Sequence, residues 1–246
     1  MNDAVVIGHG FVGKATALAF NIPWYYSRSE SNITLEEAAK KKYIFICLPT
    51  PTVDGKVFTE DIVKTIALLN KEENDNTIII RSTVPPGFAK VLNSVSGNIV
   101  SNPEFLSEAT WEEDAKRPWL VVVGGEQKHR ERIVGLYKGR FRYSRPIETD
   151  NTTAEHIKYA LNTFFSLKTI FGNVHYDFAQ KVGSNYETVR IALENAPWGS
   201  KNHFKIWYKE KRGIHGSCLP KDTEAFATLT ASPLFKTILE LNKKYE

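Results

Sequence analysis

Cysteine is scarce: only Cys47 and Cys218 occur in 246 residues, far apart in the chain. A disulfide framework is thereby excluded, and a reducing cytosol is the expected setting. No apolar run approaches the ~20 residues of a membrane helix, and Met1 to Asp3 leads straight into a strand where a leader would need a long apolar stretch. Membrane association is therefore not expected, and neither repeats nor low-complexity tracts suggest an array. A dominant charge is also missing, since 32 basic residues face 28 acidic ones, for a net of +4, and Lys40 to Lys42 is the single compact basic run. That balance does not imply nucleic acid, and no metal is implied. The small excess reads as solvated surface or as help in holding a phosphorylated substrate. What is present is an ordinary apolar fraction, 42%, in a chain long enough for one large domain or two small ones.

The apolar runs alternate with helical stretches. Ala4 to Ile7 precedes Gly8-His9-Gly10-Phe11-Val12-Gly13 and then Lys14 to Phe20, a strand, a tight turn and a helix. Pro23 to Tyr26, Tyr43 to Leu48, Thr77 to Ile80, Asn98 to Ser101 and Leu120 to Val123 read as further strands, with helices over Leu35 to Lys41 and Glu60 to Leu69. This predicts an α/β fold with a Rossmann-like, doubly wound parallel sheet over residues 1–148. From residue 149 the pattern changes. Thr153 to Lys181 has helical periodicity without proline, Asn195 to Arg212 reads as a partly exposed aromatic loop, and Asp222 to Tyr245 is helical with a break at Pro233. A smaller all-helical domain over 149–246 follows.

Gly8, Gly10 and Gly13 satisfy the steric needs of a dinucleotide loop: a tight turn, room for a pyrophosphate, and close packing of helix on strand. Phe11 and Val12 share that turn. A structural glycine turn is the plainer alternative. The acid expected after the second strand for the ribose hydroxyls is missing, and Ser27-Arg28 stands there. An arginine beside hydroxyls suits a 2′-phosphate, so NADP is an alternative to NAD. Equally, Arg28 lies on the adenine face or in solvent.

Four later segments carry a resemblance: Arg81-Ser82-Thr83-Val84-Pro85-Pro86-Gly87, Asn102-Pro103-Glu104-Phe105-Leu106-Ser107-Glu108, Glu155-His156-Ile157-Lys158-Tyr159-Ala160-Leu161-Asn162 and Gly216-Ser217-Cys218-Leu219-Pro220-Lys221-Asp222. In this order they resemble the signature blocks of the UDP-glucose and GDP-mannose dehydrogenase family, from the first strand to about Phe226. The resemblance implies two successive oxidations of a sugar C6 alcohol to a carboxylate, with Cys218 as the nucleophile that holds the aldehyde as thiohemiacetal and then thioester. Lys221 beside it favours the thiolate. Lys158 and Asn162, four apart on one helix, are implied to stabilise the developing alkoxide. The resemblance also implies that Glu104 lies near the reacting centre and that Thr83 with Asp222 handles water and protons. It implies as well that Pro49, Thr50, Thr83, Glu108 and Lys221 join the glycine loop around the cofactor. A homodimer through the helical domain and a nucleotide-sugar substrate are implied as well.

Taken without the resemblance, Lys158 and Asn162 are a solvated helix edge, Glu104 is an exposed loop acid, Asp222 is a helix N-cap, and Cys47 is a small buried apolar residue in its strand. Trp198, Phe204, Trp207 and Tyr208 form an aromatic cluster that covers substrate, meets a partner or packs in the core. Three departures stand out. The second nucleotide-binding domain that the resemblance implies beyond the helical region is not in this sequence. His215 replaces a glycine, and Val174 stands where an acid is expected. The expected function is thus an NAD- or NADP-dependent nucleotide-sugar 6-dehydrogenase. The alternatives are a cofactor-binding remnant with a regulatory or structural role, and a simple hydroxyacid-type dehydrogenase that needs no cysteine.

Overall fold

Isoleucine and valine in short runs build the sheet in the structure, a computed structural model that describes residues 1–70, 75–197, 201–208 and 210–245. In chain order the elements are β1 (Ala4–Ile7), α1 (Phe11–Phe20), β2 (Trp24–Tyr26), α2 (Leu35–Ala39), β3 (Tyr43–Ile46), β4 (Thr52–Val53), β5 (Lys56–Val57), α3 (Glu60–Leu69), β6 (Thr77–Ile80) and α4 (Phe88–Ser96). Then follow β7 (Ile99–Ser101), α5 (Trp111–Lys116), β8 (Val122–Gly124), α6 (Gln127–Arg140), β9 (Ile147–Thr149), α7 (Asn151–Val182), α8 (Tyr186–Asn195), α9 (Leu219–Thr230) and α10 (Pro233–Lys243). Among the described residues no helix is long and apolar enough to cross a membrane.

The chain divides into two compact units, 1–50 with 58–158, and 51–57 with 159–246. In the first, seven strands are ordered β2-β1-β3-β6-β7-β8-β9, parallel throughout except for the β7–β8 pair. Strand side chains alternate between two buried faces, which explains the unbroken apolar runs. Val6, Phe45, Ile79 and Val100 meet Phe20 of α1 and Ile133 and Tyr137 of α6. Val5, Ile44, Ile46 and Ile78 meet Ala38 of α2, Ile62 and Ile66 of α3, and Ala89 of α4. From β1 the chain goes to β2 on one side and then crosses to β3 on the other, so a crevice opens beyond the carboxyl ends of β1 and β3, where α/β sheets bind ligands.

The second unit is mostly helical. Helix α7 runs through Gly172, where a side chain would meet the Tyr186 hydroxyl at 2.8 Å and the Phe204 carbonyl at 3.3 Å. Ile170, Ile214, Ile238 and Tyr245 form its core. Pro233 opens α10 at the first turn, where its missing N–H costs nothing. The β4–β5 hairpin also belongs to this unit. Its turn residues Asp54 and Gly55 both have positive φ, 51° and 73°. Gly55 N–H donates to Glu224 of α9 at 2.8 Å, and an added Cβ there would meet Thr228 Oγ1 at 1.9 Å.

Candidate functional site

The glycine loop is built by crowding. Gly8 has φ +94°, and a side chain on it would lie 2.5 Å from the Cys47 carbonyl; one on Gly13 would lie 1.9 Å from the Gly8 carbonyl. A Cβ on Gly10 meets nothing within 4 Å, so that position opens onto free space. Gly10 is also the N-cap of α1 and supplies no side-chain cap to the first turn, which holds Phe11 and Val12. Backbone N–H groups at an uncapped helix start, with room in front of them, fit the pyrophosphate of a dinucleotide.

Around the crevice, Thr50 Oγ1 donates to the Thr83 carbonyl at 2.8 Å and Ser82 Oγ to the Leu48 carbonyl at 2.6 Å, joining the loops after β3 and β6. Pro49 is exposed, Thr50 buried and Thr83 half-buried. Past β2, Arg28 pairs with Asp61 of α3 at 2.8 Å with its side chain 86% exposed, and Ser27 Oγ donates to the Glu30 carbonyl. Glu108 is exposed.

Glu104 is not the exposed loop acid that its sequence neighbourhood suggests. It is 5% exposed, with Oε1 2.8 Å from Lys158 Nζ, while the same ammonium donates to the Glu104 carbonyl at 2.7 Å. Burial pushes this carboxyl up, but the Lys158 charge and hydrogen bond, the Leu106 N–H and Arg81 outweigh it and hold the acid below its ordinary range. Lys158 is likewise no solvated helix edge. Arg81 Nη1 donates to Asn102 Oδ1 at 2.7 Å and Tyr137 Oη at 2.9 Å, which ties the first two quoted segments together inside the core.

Sequence reasoning missed the role of Glu155. One turn before Lys158 on α7, it accepts from Gly87 N at 2.6 Å, Ala89 N at 3.0 Å and Ser101 Oγ at 2.9 Å. Burial outweighs these donors and pushes its carboxyl up to about 7. With Ser82, Thr83, Ser101 and Lys158 it lines a small cavity. Its place in the third quoted segment was the available signal.

In the second unit Cys218 is the N-cap of α9 and is half-buried, with Ser217 Oγ 3.5 Å from Sγ. Asp222 therefore does not cap the helix. It sits inside α9, 1% exposed, where Oδ2 accepts from Asn162 Nδ2 at 2.6 Å and Oδ1 pairs with Lys221. Asn162 is buried too. His215 folds onto the Arg212 carbonyl. Val174 lacks the expected carboxylate, but Asp177 pairs with Arg212 at 2.6 Å, and the guanidinium lies over Tyr176 and Tyr245. Of the aromatic cluster, Phe204 is buried, Trp207 and Tyr208 are exposed, and Trp198 lies outside the described residues. Thr50 with Thr83 and Glu104 with Lys158 are thus joined within the first unit, and Asn162 and Lys221 with Asp222 within the second.

Comparison with known proteins places these groups in context. Residues 28–140 match the NAD binding domain of the UDP-glucose/GDP-mannose dehydrogenase family, and residues 152–244 its central domain. A UDP-glucose 6-dehydrogenase of Rickettsia felis is 32% identical over 232 residues, which cover 87% of this chain and 50% of that one. One from Bacillus subtilis is 30% identical over 227 residues, 85% of this chain and 50% of that protein. The chain spans about half the length of the curated relatives it matches. Among solved structures, a UDP-glucose dehydrogenase from Pyrobaculum islandicum superposes with a TM-score of 0.84 at 24% identity, covering 98% of this chain and 68% of that one. A 3-hydroxyisobutyrate dehydrogenase of Mycobacterium tuberculosis shares the fold at 13% identity with a TM-score of 0.74, covering 99% of this chain and 94% of that one.

Proposed function

The chain belongs to the UDP-glucose/GDP-mannose dehydrogenase family, and from that premise we propose that it carries the cofactor and thiol machinery of a nucleotide-sugar 6-dehydrogenase of the UDP-glucose type. The bound nicotinamide dinucleotide, NAD or NADP, supplies the hydride acceptor, used twice per sugar. The remaining chemistry falls to the chain's own side chains. Lys158 has three N–H groups, two of them given to Glu104, and Asn162 has two, one given to Asp222. The remaining N–H of each is the donor assigned to the oxygen on C6 as it becomes an alkoxide.

After the first oxidation the Cys218 thiolate adds to the aldehyde carbon, and the carbonyl oxygen takes a proton to give a thiohemiacetal. Loss of the second hydride from carbon, together with release of the hydroxyl proton to water, leaves a thioester. One water, oriented by Thr83 and deprotonated with the help of Asp222, adds to it, and the thiolate leaves as the carboxylate forms. Glu104 holds the Lys158 side chain in place through its carboxylate and its carbonyl. The glycine loop with Phe11, Val12, Pro49, Thr50, Glu108 and Lys221 holds the dinucleotide. The reading assigns the chain to the cytosol.

What carries this reading is the buried Lys158–Glu104 pair, because a fixed ammonium with one N–H left over in a dehydrogenase fold has an oxyanion as its natural ligand. The test is reduction of NAD or NADP with UDP-glucose, GDP-mannose and UDP-N-acetyl sugars, counting reduced cofactor per sugar. Two per sugar, lost in Cys218→Ala, supports the reading. One per sugar with Cys218→Ala fully active would make this a two-electron alcohol dehydrogenase, and cofactor binding without turnover would leave a binding remnant. A second copy of the chain is the proposed partner. Phe171, Val174, Phe178 and Val182 form an exposed apolar stripe along α7, so Phe178→Glu should shift sedimentation from dimer to monomer.

A further inference from the structure

The segment that leads into Cys218 has little stiffness of its own. Gly213 and Gly216 both have positive φ, 83° and 88°, and glycine leaves the backbone freer than any other residue, so the path into α9 has to be fixed from outside. Two side chains supply the anchors. Asn242 of α10, itself buried, accepts the Ile214 N–H at 2.5 Å and donates to the Ile214 carbonyl at 3.4 Å. Gly213 permits that approach, since a Cβ there would lie 2.5 Å from Asn242 Oδ1. Arg212 is the second anchor. Its Nε donates to Asn173 Oδ1 at 3.0 Å, and its Nη2 donates to the Asn173 carbonyl at 3.3 Å and to Asp177 at 2.6 Å. The Tyr176 and Tyr245 rings lie 4.9 and 4.7 Å from the guanidinium carbon. Burial pushes the Asp177 carboxyl up, but Lys244 and Arg212 outweigh it and hold this acid below its ordinary range.

We infer that Arg212, together with Asn242, is a positioning residue for Cys218. The inference rests on the thiol reading above and deepens it. Neither side chain is assigned a contact with the reacting atoms. Helix α7 grips the cysteine segment on both sides, through Asn173 and Asp177 at Arg212 before the thiol and through Asn162 at Asp222 after it. Asn242 pins the stretch between the two glycines. The sulfur is thereby kept at the start of α9, where the free N–H groups of the first turn act on it. Val174 leaves α7 without the acid expected after Asn173, and Asp177 supplies a carboxylate one turn later. A guanidinium suits this role because its planar fork reaches two acceptors at once while its face lies against rings, which an ammonium cannot do.

Alkylation of Cys218 by iodoacetamide between about pH 6 and 10, a range that brackets an ordinary thiol, tests this with or without turnover. In Arg212→Met the pH of half-maximal rate should rise, and the rate at pH 7 should fall about threefold to tenfold, because a helix start favours the thiolate only while the sulfur stays against it. Asn242→Leu should act in the same direction. Arg212→Lys should recover part of the loss, and Asp177→Asn, which leaves the arginine in place, carries the test should Arg212→Met not fold. Tyr186→Phe removes a buried hydrogen bond to the Phe204 carbonyl elsewhere in this unit and should leave the profile unmoved. During turnover, a loosened thiol should let aldehyde escape, so reduced cofactor per sugar falls from two towards one and hydroxylamine captures the difference, with dinucleotide affinity unchanged. A pH profile unchanged in the folded Arg212 and Asn242 variants overturns the inference, as does an equal shift in Tyr186→Phe. Full turnover in Cys218→Ala would defeat the thiol reading itself; turnover that needs Cys218 but ignores Arg212 and Asn242 would leave that reading standing and remove this inference alone.

Discussion

The two thiols show how differently the two units treat one functional group. Cys47 follows β3 in the first unit, 7% exposed, with its sulfur against Thr16 Oγ1 at 3.8 Å in a sheet covered on both faces. Burial pushes that thiol up to about 11. Cys218 in the second unit is half-buried at the start of a twelve-residue helix, where unsatisfied N–H groups favour an anion. The strand end buries its thiol between two covered sheet faces, whereas the helix start leaves its thiol partly exposed to solvent. The acids show the same contrast within the first unit. Glu104 has a buried cation and stays an anion, while Glu155 has only neutral donors and is driven toward the protonated form.

The contrast breaks most visibly in turnover. Cys218→Ala should lower cofactor reduction by about a thousandfold or more, while Cys47→Ala leaves it within about twofold; equal losses would erase the distinction. Next in size, iodoacetamide should alkylate Cys218 on the order of a hundredfold faster than Cys47 in the folded chain, read by peptide mass spectrometry, because the buried thiol reacts only after local opening. Comparable rates would contradict the burial argument.

Lys158→Ala strands the Glu104 charge in the core and should cost about 3–5 kcal/mol in urea unfolding. Adding Glu104→Gln should restore much of that loss. A single mutant as stable as the parent would mean that the pair is not a buried one.

The smallest effect concerns pH. Glu155 titrates near 7 in the folded chain and at a lower, ordinary value when unfolded, so between about pH 4.5 and 7 the folded state holds more protons. The stability this group supplies is full below the unfolded value and is lost as pH rises through the folded one. Relative to Glu155→Gln, the parent chain should therefore lose about 5 °C of melting temperature between about pH 5 and 8. A flat difference, or one of opposite sign, would show that Glu155 is ionised in the fold.

Much of the architecture was legible because its signals are local. The strands Tyr43–Ile46 and Thr77–Ile80 and the helices Glu60–Leu69 and Asn151–Val182 lie within a few residues of where apolar periodicity puts them. Helix α6 escaped notice because most of its fourteen residues are polar and Ile133, Val134 and Tyr137 alone supply much of its buried face. The β4–β5 hairpin was missed although Asp54-Gly55 is a strong turn signal, since two-residue strands are too short to show alternation. The aromatic loop before Arg212 divided by position: Phe204 and Ile206 went inside and Trp207 and Tyr208 outside, a choice that composition does not encode.

By itself the sequence determined the residue types, their order and the short-range geometry: a glycine loop between strand and helix, a lysine and an asparagine four apart, a cysteine before a helix that begins with Leu-Pro. Only the tertiary structure decided their electrical state. Whether an acid is an anion depends on what long-range folding brings beside it: Lys158 to Glu104 across 54 positions, Gly87 and Ser101 to Glu155, and His9 to Glu30. Charge is set by neighbours and burial, and both arise from contacts that no local pattern contains.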